Sequence, residues 1–203
     1  MALKIREHSR DGMASYADIS IAFTVARVLD VTVRTGDPGD FALAERPVEV
    51  PYVKDYDRIE HPADWAQRFD LSNWGFFGAW VEGQRVGAAA VVFKTPTVSL
   101  LEGRTDHAVL WDIRVASEAR RLGIGAALYR AAVAWATARG CSELKVETQN
   151  VNVPACRFYA AQGCELRAVH RFAYPALPDE VQLLWYKDLR ARQEAGYTED
   201  RLK

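Results

Sequence analysis

The sequence lacks the features that mark several large classes of protein. Its three cysteines have no CxxC spacing, which argues against a disulfide framework and against a thiolate metal site. The 26 basic and 27 acidic residues leave no positive excess for a nucleic-acid backbone or an anionic membrane surface. Long apolar runs typical of a membrane span or a signal peptide are also missing. We therefore expect a cytoplasmic protein with no metal, no nucleic-acid partner and no membrane partner.

The composition that remains is that of an ordinary globular domain. With 49% hydrophobic residues over 203 positions, the chain can bury a substantial core without disulfides or metals. We predict one domain over residues 1–190 and a polar tail over 191–203. The sequence leaves the oligomeric state open, and a homodimer is one option.

The first third of the chain has the weakest periodicity. Alternation at 3–6 indicates a short strand. Residues 16–33 place apolar side chains near helical spacing, so we predict an amphipathic helix that ends before a loop at 36–39. The stretch 41–60 is charged and irregular, and we predict a loop there that serves as a substrate lid. A short helix is expected over 62–69.

The rest of the chain alternates strands and helices with clear boundaries. Two apolar runs joined by a Gly83 turn are typical of a β-hairpin. Pro154 falls in the first turn of a predicted helix, and Gly140 and Gly163 stand where helices end. The predicted strands cover 74–81, 86–93, 109–115, 143–147, 165–172 and 181–186, and the predicted helices cover 123–139 and 153–162.

The segment Arg120-Arg121-Leu122-Gly123-Ile124-Gly125 lies between a predicted strand and a predicted helix. Two glycines without Cβ atoms let a phosphate approach the backbone, and the free N–H groups of the helix's first turn point at it. The two arginines add positive charge at the rim. A tight turn with two convenient glycines would give the same short pattern. There is no P-loop motif and no dinucleotide fingerprint in the sequence.

A second segment follows one strand later. Asn152-x-x-Ala155-x-x-Phe158-Tyr159 opens the next helix, with Asn152 at its start and Tyr159 two turns in. A core aromatic beside Phe158 is the alternative interpretation of Tyr159. Together the two segments resemble the GNAT superfamily of N-acetyltransferases, whose pyrophosphate loop has the form Gln/Arg-x-x-Gly-x-Gly/Ala.

The resemblance implies an α/β fold with a central, mostly antiparallel twisted sheet and a splayed parallel strand pair, flanked by helices. It implies acetyl-CoA as co-substrate, inserted between the strands at 109–115 and 143–147. Tyr159 would then protonate the departing thiolate, since a phenol with a reference pKa of about 10 suits a thiolate with one of about 8.5. The residues implied in cofactor binding are Ile113, Val115, Arg120, Arg121, Leu122, Gly123, Ile124, Gly125, Ala126, Asn152, Ala155, Phe158 and Tyr159.

A narrower resemblance concerns the segment from Glu147 to Cys156, which is similar to the corresponding stretch of the streptothricin acetyltransferases, a group of antibiotic-resistance enzymes. Short matches at 51–56, 172–174 and 184–186 agree with it. The resemblance implies acetylation of an amino group on the β-lysine moiety of streptothricin. Two alternatives stay open, namely another amine (a polyamine, an aminoglycoside or a protein N-terminus) and a non-catalytic acyl-CoA-binding domain.

Candidate acceptor residues are carboxylates and aromatics, because a cationic amine favours charge pairing and cation–π contact. Glu147, acting through water, is our preferred base, and Asp112 on the neighbouring strand is the alternative. If that strand alternates regularly, Asp112 faces away from Trp111 and Ile113. The opposing interpretation is that the carboxylates solvate a loop and the tryptophans fill the core. The predicted acceptor-binding residues are Asp55, Tyr56, Trp74, Trp80, Glu147 and Trp185, with Asp57, Glu60 and Trp111 nearby.

Overall fold

The computed structural model describes residues 2–9, 13, 15–33 and 41–190. The predicted loop at 36–39 and the predicted tail at 191–203 lie outside these residues. The described strands are β1 (Leu3–His8), β2 (Phe23–Val33), β3 (Phe41–Lys54), β4 (Trp74–Val81), β5 (Gln84–Phe93), β6 (His107–Val115), β7 (Glu143–Gln149), β8 (Glu165–His170) and β9 (Gln182–Asp188). The described α-helices are α1 (Trp65–Arg68), α2 (Ile124–Ala138) and α3 (Val153–Ala161).

Seven strands form one sheet in the order β1-β4-β5-β6-β7-β9-β8. The pair β6–β7 is parallel, and every other neighbouring pair in this sheet is antiparallel. The β6–β7 register ends at Leu110↔Val146, although β6 continues to Val115 and β7 to Gln149. The two strands therefore part, which confirms the predicted mixed sheet with a splayed parallel pair.

A β-bulge interrupts β6 at the point where the strands part. The register against β5 passes from Ala90↔Asp112 to Val91↔Leu110, so Trp111 is the extra residue. Such a bulge shifts the alternation of side chains along the strand. The regular alternation on which the expectation for Asp112 depended is therefore absent. Asp112 bonds to Tyr16, which shares a cluster with Trp111, whereas Ile113 packs against the cluster on the opposite face.

Hydrophobic residues pack on both faces of the sheet, as the alternation along β5 illustrates. Ala89 and Val91 belong to a cluster that includes α2 and α3. Ala88 and Val92 belong to a second cluster on the opposite face, with Tyr16, Trp65 and Trp74. Because a strand presents alternate residues to opposite faces, the central apolar strands are covered on both sides.

The helix predicted over 16–33 is wrong, as is the irregular loop predicted over 41–60. Strands β2 and β3 instead form a two-stranded antiparallel ribbon that pairs from Phe23↔Lys54 to Val33↔Phe41. Residues 23–33 are rich in valine and threonine, which favour strands. The register shifts between Val25 and Arg27, so the period of two is broken and the apolar positions mimic helical spacing.

The remaining predicted elements are present with small changes at their ends. Pro62–Asp64 forms a 3-10 turn that leads into α1, so the short helix expected over 62–69 is confirmed. The predicted hairpin corresponds to β4 and β5, and the longer predicted helices correspond to α2 and α3. Gly140 and Gly163 have φ of 74° and 73°, which suits their positions after the two helices.

The ribbon is attached to the end of β7. The Leu29 amide donates to the Asn150 carbonyl at 2.9 Å, and the Asn150 side-chain amide donates to the Leu29 carbonyl at 3.1 Å. Val25 and Val28 pack against Val151 in a small buried cluster. The ribbon therefore ends beside the splayed strands and brings Tyr56 and Asp57 to their opening.

Candidate active site

A cleft of about 740 Å³ opens where β6 and β7 part. Its walls come from both strands, from the loop and first turn of α2, from α3, and from the segment that follows the ribbon. A sheet whose central strands separate leaves backbone groups without strand partners, which makes this gap a natural binding site.

The loop before α2 is shaped to receive an anion. Arg121 and Gly123 have positive φ values of 65° and 79°, a conformation that costs least at glycine. Gly123 caps α2 without a side chain, so no side chain covers the N–H groups of the first turn. A Cβ added at Gly125 would lie 3.5 Å from Phe158 and would project into this space.

Arg120 has a role that differs from the expected rim charge. Its guanidinium donates to the Val115 carbonyl at 3.1 Å and to the Ala22 carbonyl at 3.0 Å. These bonds tie the end of β6 and the segment before the ribbon to the loop. Arg120 therefore holds the loop in shape while still lining the cleft.

Tyr159 reaches the cleft from α3. Its ring is 4% exposed and packs against Phe158 and Tyr129. Burial raises the pKa of Tyr159 well above its usual range, and the charge of Asp112 adds to the shift. The hydroxyl consequently stays protonated at neutral pH and is available as a donor in the cleft.

Asp112 belongs to a buried ion network. The Arg114 guanidinium donates to the two Asp112 oxygens at 3.0 and 2.6 Å and to the two Asp57 oxygens at 3.1 Å. The Tyr16 hydroxyl donates to Asp112 at 2.7 Å, and Arg114 also donates to the Ile19 carbonyl at 2.9 Å. The network fixes the segment after the ribbon against β6, and its hydrogen bonds occupy both Asp112 oxygens.

Glu147 stands one residue beyond the last β6–β7 pair and lines the cleft. The Tyr174 hydroxyl donates to its Oε1 at 2.5 Å, and the Gln182 amide donates to its Oε2 at 2.7 Å. Gln149 adds a longer contact at 3.3 Å. Within the described residues no basic side chain pairs with Glu147, so its partners orient the carboxylate without neutralising it.

The cleft brings together most of the predicted site residues. Tyr56, Asp112, Glu147 and Tyr159 all line it. So do Ile113, Val115, Arg120, Arg121, Gly123, Gly125, Ala126, Asn152, Ala155 and Phe158. The exceptions in the phosphate loop are the side chains of Leu122, which is 54% exposed, and Ile124, which is buried in the core. Asn152 caps α3 by accepting from the Ala155 amide at 3.2 Å.

Four predicted acceptor residues lie outside the cleft. Trp74 packs in the core against Trp65, and Trp185 is buried with its indole N–H donating to Thr148. Trp80 packs beneath the guanidinium groups of Arg6 and Arg85. Asp55 caps the turn after the ribbon and pairs with Arg58. These large aromatic surfaces stabilise the fold by burial, as the opposing interpretation of the tryptophans held.

Three residues that shape the site were not expected from the sequence. Arg114 could have been inferred from its position two residues after Asp112, which places both on one face of β6. Tyr174 and Gln182 had no such pattern, because they reach Glu147 from a turn and from a strand that follow it by more than 25 residues.

No group of three or more metal-ligating side chains occurs in the described part of the chain. None of the helices in that part is long and apolar enough to cross a membrane.

Comparison with known proteins bears on the chemistry of the cleft. The sequence pattern of the acetyltransferase (GNAT) family matches residues 43–164, which include the phosphate loop and the helix that carries Tyr159. The chain belongs to the GNAT acetyltransferase family. This acetyltransferase is therefore an enzyme that uses acetyl-CoA to acetylate an amine.

Individual relatives of this acetyltransferase share one name. It is 35% identical over 170 residues to streptothricin acetyltransferase of Streptomyces lavendulae, which covers 83% of this chain and 84% of that protein. It is 37% identical to streptothricin acetyltransferase A of Bacillus subtilis over 82 residues, 39% of this chain and 47% of that protein. A solved structure of a candidate streptothricin acetyltransferase from Bacillus anthracis in complex with acetyl coenzyme A has a TM-score of 0.73 and 25% identity, covering 93% of this chain and 98% of that chain.

The residues of this acetyltransferase fit the cofactor that its family uses. The first turn of α2 offers N–H groups to a pyrophosphate, and Gly125 leaves room where a Cβ would project. Beyond Leu110 and Val146 the splayed strands have backbone groups without strand partners for the amides of a pantetheine arm. The fit rests on backbone geometry.

Proposed function

We propose that this acetyltransferase modifies streptothricin, on an amino group of its β-lysine moiety. The observation that carries the proposal is Glu147, a carboxylate at the opening of the splayed strands with neutral donors and no ion-pair partner in the described residues. A cationic amine supplies the missing charge. The names of the relatives point to the same acceptor.

The distribution of charge along the cleft supports a cationic acceptor. Among the carboxylates that line the cleft, Asp57 and Asp112 pair with Arg114 and Glu60 pairs with Arg68, so Glu147 is the one without a basic partner in the described residues. Arg120 and Arg121 line the same cleft beside the phosphate loop. The negative charge of Glu147 favours a cation beside it, and the positive charge beside the loop favours an anionic cofactor there. Trp111 and Phe23 also line it and offer faces for cation–π contact.

In the proposed reaction, bound acetyl-CoA supplies the acetyl group as a thioester. Glu147 attracts the ammonium form of the acceptor and takes its proton through a water molecule, which leaves a neutral amine as the nucleophile. The amine nitrogen forms a bond to the thioester carbonyl carbon as the C–S bond breaks, and Tyr159 donates its hydroxyl proton to the departing thiolate sulfur. The second proton, lost by the nitrogen as the amide forms, restores the Tyr159 hydroxyl. Asp112 shapes the site through Arg114 and is not the base, because its charge is neutralised by the Arg114 guanidinium, whereas the donors to Glu147 are neutral.

The test offers purified protein and acetyl-CoA a panel of streptothricin, a polyamine, an aminoglycoside and an N-terminal peptide. Free thiol release and the mass gain of one acetyl group are followed together, and fragmentation of the product in tandem mass spectrometry locates the acetylated amine. We expect streptothricin to have the highest kcat/KM. Faster transfer to a different amine, or cofactor binding without transfer to any of them, contradicts the proposal. Glu147→Gln keeps the shape of the side chain and removes its charge, so this variant should lose most of the streptothricin activity.

A further inference from the structure

Loop 171–181, between β8 and β9, contacts residues that line the cleft, and one of them is Glu147. Tyr174 is half-buried, and its hydroxyl makes the shortest hydrogen bond of Glu147, at 2.5 Å. Gln149 donates to the same hydroxyl at 3.0 Å, so the oxygen of Tyr174 is both a donor and an acceptor. Tyr174 itself does not line the cleft. The shorter of its two bonds goes to the carboxylate, so a change at this hydroxyl acts on the acceptor mainly through Glu147.

The loop is held firmly enough to position a side chain. Glu180 is buried, pairs with Lys54 and accepts from the Tyr56 hydroxyl at 2.7 Å, which fastens the loop to the end of the ribbon. The Val181 amide donates to the Asn150 side chain at 2.8 Å, which fastens the loop to the end of β7. Tyr174 thus stands on a segment attached to both walls of the acceptor side.

The chemistry of the donors matters as much as their position. A lysine or arginine at position 174 would neutralise Glu147, whereas a phenol and two amides leave its charge intact. Burial raises the pKa of Tyr174, and the adjacent carboxylate raises it further, so the hydroxyl remains a donor throughout the neutral range.

We infer that Tyr174 is a positioning residue for the acceptor, which holds the Glu147 carboxylate toward the cleft with its full negative charge. Loop 171–181 is then the element that sets affinity for a cationic amine, although it does not touch that amine. This inference rests on the proposed role of Glu147.

The first test compares Tyr174→Phe with wild type. The ring is kept and one hydrogen bond to a charged group is lost, so KM for streptothricin and its Kd for the CoA-loaded enzyme should both rise about 10-fold. The KM for acetyl-CoA should stay within about twofold. Tyr186→Phe is the matched control. Tyr186 lies on β9, its ring packs near Lys145 and Arg167, and it does not line the cleft. A general loss of folded protein would lower the apparent kcat and leave both KM values unchanged.

The second test places Tyr174→Phe in a Glu147→Gln background. Because Tyr174 acts through Glu147, the double variant should have the same acceptor Kd as Glu147→Gln alone. Losses that multiply, or an acceptor KM and Kd unchanged in Tyr174→Phe, overturn the inference.

The two proposals fail in different ways. Weaker streptothricin binding by Tyr174→Phe, with no acetylation by wild type, supports the inference and overturns the proposed function. Transfer to another amine replaces the substrate, and the same comparison is then made with that amine. Failure of the wild type to bind any amine of the panel overturns both.

Discussion

At the scale of single residues, the reaction depends on what surrounds Tyr159. The phenol is buried against Phe158 and Tyr129, yet it lines the cleft instead of donating to another residue of the described chain. Burial makes the largest contribution to its raised pKa, and the negative charge of Asp112 raises the pKa further. An aromatic beside Phe158 is therefore both a core residue and a proton donor, so the two interpretations open from the sequence are compatible.

Tyr159→Phe should lower kcat about 100-fold, in the range of lost general acid catalysis, with both KM values little changed. The ring that packs in the core is retained, so thermal unfolding should remain close to that of wild type. The matched control is Tyr129→Phe, which removes a nearby hydroxyl that contacts the Cys164 sulfur at 2.9 Å outside the cleft. Equal rates for wild type and Tyr159→Phe would remove Tyr159 from the reaction.

His107 provides a second test at this scale, in stability. It is 0% exposed, and burial together with the charges of Lys145 and Arg104 lowers its pKa from 6.5 to about 4. Between these values the unfolded chain binds a proton that the folded protein does not, so stability falls as the pH drops through this window. The full shift corresponds to roughly 3 kcal/mol.

Urea unfolding of wild type and His107→Leu at a series of pH values from 7 to 4 measures this contribution. The carboxylates titrate in both proteins, so the difference between the two curves isolates the histidine. We expect wild type to lose more stability than the variant on acidification, by an amount approaching the full shift. Parallel curves would contradict the assignment.

At the scale of elements, the phosphate loop combines two backbone devices. Positive φ at Arg121 and Gly123 turns the chain from β6 into α2, and Gly125 keeps the first turn of the helix open toward the cleft. The short motif indicated this geometry from sequence because glycine is required for backbone reasons. The role of Arg120 was not predictable, since its carbonyl partner at Ala22 is 98 residues away.

Gly125→Val should raise the KM for acetyl-CoA roughly 10- to 100-fold, because the branched side chain displaces the phosphate from charge-assisted hydrogen bonds. The KM for the acceptor should change little. Gly140→Ala is the control, since it strains a positive φ of 74° at the other end of α2, away from the cleft. It should lower stability without changing either KM. An unchanged cofactor KM in Gly125→Val would place the pyrophosphate elsewhere.

The ribbon shows where prediction from sequence stops. Its residues have strand-forming side chains, but a register shift between Val25 and Arg27 disturbs their alternation. Pro47 and Pro51 stand in β3, which pairs only with β2 among the described strands, and an edge strand tolerates proline where a central strand does not. The register shift in β2 and the two prolines in β3 each disturb the alternation that marks a strand. From the sequence alone, without the pairing of the two strands, neither segment could be recognised as a strand.

At the scale of the whole molecule, candidate residues within one segment could be predicted from the sequence. Their hydrogen-bond partners from distant segments could not. Glu147 could be named because it lies in the segment from Glu147 to Cys156, which resembles the streptothricin acetyltransferases. The donors that orient it, Tyr174 and Gln182, come from later parts of the chain. Trp74 and Trp185 were predicted to bind the acceptor because an aromatic ring suits a cation. In the structure they are buried in the clusters on the two faces of the sheet.

Asn150 joins three parts of the molecule, so its removal tests the assembly of the acceptor side. Its side chain donates to the Leu29 carbonyl of the ribbon at 3.1 Å and accepts from the Val181 amide at the end of loop 171–181, at 2.8 Å. In Asn150→Ala both backbone groups lose a partner in a buried setting. We expect the free energy of unfolding to fall by roughly 2–4 kcal/mol.

Urea unfolding and hydrogen exchange of the Val181 amide measure the two consequences of Asn150→Ala. Exchange should accelerate at Val181, because its amide loses its acceptor, although the Asn150 amide still donates to the Val181 carbonyl. The matched control is Asn73→Ala, which removes an exposed amide that donates to the Lys94 carbonyl at 3.1 Å and should cost less than about 1 kcal/mol. Equal losses in the two variants would show that the ribbon and the loop do not depend on the Asn150 side chain.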